Sequence, residues 1–324
     1  KKFHIYAQFA VHRQLEALSK QAGESGAALY FDYPVGVDND GFDVAQDKGN
    51  FIPGYNVGAP PDAFSAHGQD WGFMPLHPGR LARDKFAYFR SALRNYFRYA
   101  KMVRIDHIMG LYRIFCVPHG GKPSEGAYIL YPFKAFLAAL SLEARRHDAV
   151  IIGEDLGTVP DIVRAAMNRH GLLRMWLFQF YLQPEPEKTF RDVPEDSLAA
   201  LNTHDMFPFE GFWNGDDIQK LEDVGAFDNE RAARILSERE KTLNKWRGKK
   251  QPFVYVIEGL SKSPARFLLI NFEDLWGETK PQNMPGTTDQ YPNWRKKFAR
   301  TLEDWMNDEK TLETLRRIDN ARQK

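Results

Sequence analysis

Apolar and polar positions alternate along this chain in blocks, and the blocks predict helices that each lead into a short buried strand. Residues 3 to 21 read as a first helix, stopped by Gly23 and Gly26, and Ala27-Ala28-Leu29-Tyr30-Phe31 as a strand carrying Asp32 at its far end. The unit then recurs. A helix near 84–99 leads into Met102-Val103-Arg104-Ile105-Asp106, and one near 131–147 into Ala149-Val150-Ile151-Ile152-Gly153-Glu154. Another near 160–170 leads into an apolar run over 172–180. Two further runs follow: Leu198-Ala199-Ala200-Leu201-Asn202 before Thr203-His204-Asp205, and Phe267-Leu268-Leu269-Ile270-Asn271 before Phe272-Glu273-Asp274. The charged stretch 216–250 predicts solvated helices. Residues 38–82, rich in Gly, Pro, Asn and Asp, read as a long irregular loop; loops of that length are usually functional or disordered, and the interleaved Tyr55, Phe64, Trp71 and Phe73 favour function over disorder.

Helix-then-strand repetition argues for parallel strands covered on both faces by crossover helices. Carboxylates or a histidine end five of the six apolar runs: Asp32, Asp106, Glu154, Asp205 with His204, and Glu273. A (β/α)8 barrel builds its site from those strand ends, whereas an open nucleotide-binding sheet carries a glycine-rich phosphate loop, and neither GxGxxG nor GxxxxGK[ST] occurs. The expected fold is therefore an α/β chain of the TIM-barrel type, with six of the eight strands visible and the first ones missing. No repeat or long linker divides it, so residues 1–324 are expected to form a single, partial barrel domain.

Composition narrows the chemistry. The 324 residues carry 44 Lys and Arg against 43 Asp and Glu, a net charge of +1 that offers nucleic acid or an anionic membrane nothing to bind. No apolar run approaches the ~20 residues of a membrane helix. Cys116 is the one cysteine, which leaves no disulfide and no CxxC metal site, and a cytoplasmic location is expected. Aromatic residues make up 14% of the chain, and flat apolar faces of this kind are what sugar rings stack upon.

Three strand ends carry the candidate catalytic groups. Arg104 and Asp106 lie two apart on a strand and so share a face. The guanidinium holds the carboxylate ionised, which suits a nucleophile and equally an ordinary buried ion pair. Glu154 ends an all-aliphatic strand, where apolar surroundings raise a carboxyl pKa and suit a general acid; alternatively Glu154 or Asp155 caps the helix that follows. His204 and Asp205 read as a site or as a hydrogen-bonded pair, and too few further ligands converge for a metal centre. Spacings of 48 and 51 residues between Asp106, Glu154 and Asp205 leave room for a helix in each gap. Three such carboxylates are the equipment of glycoside chemistry.

Arg104-Ile105-Asp106-His107, Gly153-Glu154-Asp155-Leu156-Gly157 and Thr203-His204-Asp205 resemble three signature regions of the α-amylase clan. Gly58-Ala59-Pro60-Pro61-Asp62-Ala63-Phe64-Ser65, Gly68-Gln69-Asp70-Trp71-Gly72, Asn283-Met284-Pro285-Gly286-Thr287 and Pro292-Asn293-Trp294-Arg295 resemble the amylomaltase (4-α-glucanotransferase) family more narrowly. The resemblance runs from about residue 3 to 305. It implies Asp106 as nucleophile, Glu154 as general acid/base and Asp205 as transition-state stabiliser. Arg104 would hold Asp106, His204 would bond the sugar at the cleavage subsite, and Asp32 would line the same pocket. Asp62, Phe64, Gln69 and Trp71 would shape the subsites, making 38–82 a substrate-loop insertion and 216–250 a helical insertion.

Maltooligosaccharides and α-1,4-glucans are the implied substrates, without cofactor or metal. The reaction would be a retaining transfer to a 4-hydroxyl. A hydrolase with the same acids, an inactive carbohydrate-binding fragment and a metal-dependent barrel hydrolase are the competing readings. Departures stand at Ile108-Met109 (a phenylalanine-arginine pair in the family), Phe73-Met74-Pro75 and Met206-Phe207-Pro208-Phe209-Glu210, and are expected to touch subsites and acceptor preference. Full family members carry strands upstream, so an upstream segment or another chain is expected to complete the barrel.

Overall fold

The computed structural model describes residues 2–61, 67–246, 249, 251–287 and 289–323. They form two compact units, Lys1–Arg174 and Met175–Lys324, and the chain passes from one to the other within the strand Leu173–Leu177.

In the first unit the expected parallel strands are present. Leu29–Tyr33 pairs in parallel with Ala100–Ile105, which pairs with Val150–Gly153; Ile152 and Gly153 then pair with Leu173 and Arg174. Helices Ala87–Phe97, Phe133–Arg146 and Asp161–Arg169 supply the crossovers. Their apolar stripes bury Phe89, Leu93, Phe136, Leu140, Val163 and Met167 against Val103, Ile105 and Ile151 of the sheet. Each such side chain contributes roughly 1.5–3 kcal/mol by leaving water. The Phe136 ring stacks on Phe86 at 5.2 Å and meets Phe89 edge-on at 4.7 Å. Buried Glu143 ties Phe133–Arg146 to Ala87–Phe97, taking Arg94 Nε at 2.8 Å and Arg90 Nε at 2.7 Å, and these bonds hold its carboxyl down to about 2.

The stretch 38–82 is not an irregular loop. A second, antiparallel sheet runs in the order Val37–Asp38, Gln69–Met74, Tyr55–Ala59, Arg113–Pro118, Ala127–Leu130. Glycines and a register shift break its alternation, which is why the pattern did not reveal it. Gly58 is required there: a Cβ would stand 2.1 Å from the Gln69 carbonyl oxygen across the pair. The first helix, Lys2–Glu24, runs past Gly23 and ends before Gly26, whose φ of +72° closes it. It buries no residue and exposes Phe3, Ile5, Tyr6 and Phe9.

In the second unit Ser197–Ala200 and Phe267–Leu269 pair in parallel. Helices Asp216–Asp223 and Asn229–Asn244 occupy the charged stretch, as expected, yet it is not wholly solvated. Trp246, at its end, is 1% exposed at the centre of a core with Phe178, Phe209, Val256 and Leu260. Its indole N–H donates to the Gln183 carbonyl at 2.9 Å. Asp217 forms a bidentate pair with Arg239 at 2.6 and 2.8 Å. Among the described residues no helix is long and apolar enough to cross a membrane.

Candidate active site

Parallel pairing decides the geometry of the first unit's site. Asp32 and Arg104 are direct register partners on neighbouring strands, so their side chains emerge together on one face. Arg104, 7% exposed, donates through Nη1 to both Asp32 oxygens at 2.7 and 2.8 Å. Its Nη2 meets Asp106 Oδ1 at 2.7 Å. One guanidinium thus bridges two carboxylates, where the sequence pointed only to Asp106. Asp32 lies within its strand rather than beyond its end.

Exchanging Arg104 for methionine leaves both acids facing each other uncompensated. Unfolding in denaturant should then require about 2 kcal/mol less, below the ~3–5 of a fully buried pair because both carboxylates reach solvent. An unchanged midpoint would show that Arg104 does not carry that balance.

Glu154 follows the strand Val150–Gly153. Its backbone N–H donates to Ile105 O and its carbonyl accepts from Ile108 N, each at 3.0 Å, so it is stitched across the end of the Asp106 strand. Gly153 precedes it in close packing: a Cβ there would come within 2.7 Å of Met167 Cε and 2.9 Å of Ile108 Cγ1, so both side chains would have to shift. The carboxylate accepts the His107 N–H at 2.8 Å and the Leu156 N–H at 2.7 Å. Burial nevertheless dominates, and with the nearby Asp106 charge it pushes Glu154 up to about 7, against the pull of Arg104 and the two amides. Neither Glu154 nor Asp155 caps the next helix; Pro160 stands at that cap, without a side-chain bond.

His107 adopts φ +47°, an uncommon left-handed conformation that turns its amide toward Glu154. Its own ring is held neutral by burial, which lowers its pKa. The Trp71 ring meets it edge-on at 5.4 Å, and the Trp71 indole N–H donates to Gln69 Oε1 at 2.7 Å. Gln69 and Trp71 share a strand face, so the antiparallel sheet delivers both to the neighbourhood of Asp106. Asp62 and Phe64 lie outside the described residues.

The second unit holds its own cluster. His204 Nε2 lies 3.2 Å from Asp205 Oδ2, and Asn283 Nδ2 donates to Asp205 Oδ1 at 2.6 Å. Two features here were not among the candidates. Asn283 comes from the segment carrying Met284, whose N–H is fixed by Asn293 Oδ1 at 2.9 Å. Trp294 is 62% exposed, sits at φ +59°, and holds its ring 5.7 Å from His204. Their signal in the sequence was the pair of motifs at 283–287 and 292–295, read only for family resemblance. Among the described residues no three His, Cys, Asp or Glu side chains gather as metal ligands.

Several of the departures from the family pattern are buried. Ile108 and Met109 are 1% and 6% exposed in the core, and Phe209 is 1% exposed in the other core. Phe73 packs on the first core.

The profile of 4-alpha-glucanotransferases matches residues 1–302. A 4-alpha-glucanotransferase of Mycobacterium tuberculosis is 34% identical over 318 residues, 90% of this chain and 43% of that protein. One of Haemophilus influenzae is 31% identical over 324 residues, 93% of this chain and 46% of that protein. The crystal structure of amylomaltase from Corynebacterium glutamicum superposes with a TM-score of 0.86 at 29% identity, covering 99% of this chain and 50% of its own. The chain therefore spans about half the length of the proteins it resembles, or somewhat less, and over that span it belongs to the 4-alpha-glucanotransferase family.

Proposed function

We propose that this chain carries the catalytic groups of a 4-α-glucanotransferase that moves part of an α-1,4-glucan onto the 4-hydroxyl of another glucan or of glucose. The observation that carries the reading is the pair of opposed acids: Asp106 bound to Arg104, and Glu154 buried with its pKa near 7. In the first displacement protonated Glu154 donates to the glycosidic oxygen while Asp106 Oδ attacks C1, forming a glucosyl ester and releasing the leaving glucan. Having given up that proton, Glu154 stays ionised at the same pH, because ester formation cancels the Asp106 charge that helped to hold its pKa high. It then takes the proton of the acceptor hydroxyl, which displaces Asp106 with net retention.

Asp205 stabilises the oxocarbenium-like transition state through the sugar hydroxyls, with Asn283 fixing its orientation. His204 bonds the sugar at the cleavage subsite, and Asp32 lines the same pocket. Asp62, Phe64, Gln69 and Trp71 shape the donor and acceptor positions and exclude water, favouring transfer over hydrolysis. The parallel strands belong to a (β/α)8 barrel. The exposed apolar face of Lys2–Glu24 and the outer edge of Leu29–Tyr33 are where an upstream segment or another chain completes it.

Maltotriose incubated with the purified chain should yield glucose together with a ladder of longer maltooligosaccharides. Short sugars alone would turn the reading to a hydrolase. No turnover from folded protein would remove activity from this chain by itself. Trp294 offers its exposed ring as a stacking surface beside His204. Trp294→Ala should raise KM for maltotriose five- to tenfold, worth about 1 kcal/mol of ring contact, with kcat within a factor of two. An unchanged KM in initial-rate measurements would remove it from the binding surface.

A further inference from the structure

Asp155 follows Glu154, is fully buried, and takes no part in the reaction described above. Its Oδ2 accepts from Arg174 Nε at 2.7 Å and from Arg164 Nε at 3.1 Å. Arg164 also donates to the Asp155 carbonyl at 3.2 Å and to the Val159 carbonyl at 3.1 Å. The two arginines come from different elements, the helix Asp161–Arg169 and the strand Leu173–Leu177. The turn between Glu154 and the next helix is therefore fastened at both its ends and at its one buried acid. What that fastening holds in place is the Leu156 amide, which points back at Glu154 Oε1 at 2.7 Å.

We propose that Asp155, clamped by Arg164 and Arg174, is a positioning residue that keeps the Leu156 N–H on the Glu154 carboxylate and thereby sets how tightly the acid holds its proton. The inference rests on Glu154 being the acid/base of the transfer reaction. An ion triad that served folding alone would need no particular amide at its centre. Here the clamp sits one residue from the acid, and its carbonyl contacts fix the backbone that presents the donor. The charged groups acting on Glu154 are Asp106 and Arg104 from the strand Ala100–Ile105 and its end, with the His107 backbone N–H beside them, while the Asp155–Arg164–Arg174 triad follows it on its own segment.

Asp155→Asn separates positioning from plain electrostatics by the sign of its effect. Deleting a negative charge beside Glu154 would, through space, make the acid easier to ionise and lower its titration midpoint. Releasing the turn withdraws the Leu156 donor from the anion and raises it. The expected result is a net rise of about 0.5–1 pH unit, the worth of one hydrogen bond to a charged group (about 1–2 units) less the opposing effect of the deleted charge, with kcat on maltotriose about tenfold lower.

The midpoint is read from the side-chain carboxyl signal of 13C-labelled glutamate, assigned by its disappearance in Glu154→Gln, so it does not depend on turnover. A chain that fails to disproportionate maltotriose still gives this titration, and the two failures stay distinct. Arg164→Lys keeps the charge but cannot reach both carbonyls, and it too should raise the midpoint. Arg174→Lys, which keeps a cation at the single contact, should leave it near the parent value. If Asp155→Asn does not fold, Arg164→Lys decides alone. A midpoint that falls or stays put in folded Asp155→Asn, or stays put in Arg164→Lys, overturns the proposal.

Discussion

Asp106→Asn should lower disproportionation of maltotriose by on the order of 10⁴-fold or more, because the substitution keeps the shape of the side chain and removes its ability to form the glucosyl ester. The asparagine still accepts from Arg104 Nη2, which meets the native carboxylate at 2.7 Å, so the loss reports chemistry rather than collapse. Retention of maltotriose binding within a few-fold, by calorimetry, would accompany it. Removing a group that acts in concert with others costs nearly the whole rate, so Asp106→Asn combined with Glu154→Gln should be little worse than Asp106→Asn alone. Residual activity above about one part in a hundred would mean that another group attacks C1.

Glu154→Gln should cost ~10²–10⁴-fold in kcat and also change the shape of the pH profile. Burial raises the Glu154 carboxyl from its ordinary 4.5 to about 7, so the protonated, productive form predominates below that pH. As pH rises through 7 the acid ionises, and kcat/KM should fall toward a tenfold loss per unit. That alkaline limb belongs to Glu154 and should be missing from the residual rate of the glutamine variant. A parent profile flat from pH 6 to 9, or a variant that keeps the limb, would take the acid role away from this residue.

How much could be read without coordinates follows from the range of the interactions. Every apolar run that ends in a polar residue is a strand, because a strand buried on both faces writes its length into consecutive aliphatic residues, as at Val150–Gly153. Tyr55–Ala59 and Gln69–Met74 escaped notice because Gly58 and Gly72 interrupt them and because their pairing, not their own pattern, makes them strands. In the same way Arg104 and Asp106 were a visible pair at i and i+2, while the bond from Arg104 to Asp32 depends on the register of two strands 72 residues apart. Ile108 stands where the family pattern has a phenylalanine, which ties it to the subsites by resemblance alone; its side chain is buried, in a short 3₁₀ turn over Ile108–Leu111. Trp246 hid inside a run of charges for a related reason: a single buried ring leaves no period behind it.

Trp294 shows what selection for heat resistance alone would do to this protein. A tryptophan at φ +59° occupies a backbone region that glycine enters without steric cost, and strain of this kind runs to ~1–3 kcal/mol. A library screened only for residual fold after heating should therefore enrich Trp294→Gly, and the winners should have lost the ring beside His204. Engineering a sturdier catalyst from this sequence means leaving this strained tryptophan untouched and finding stability elsewhere.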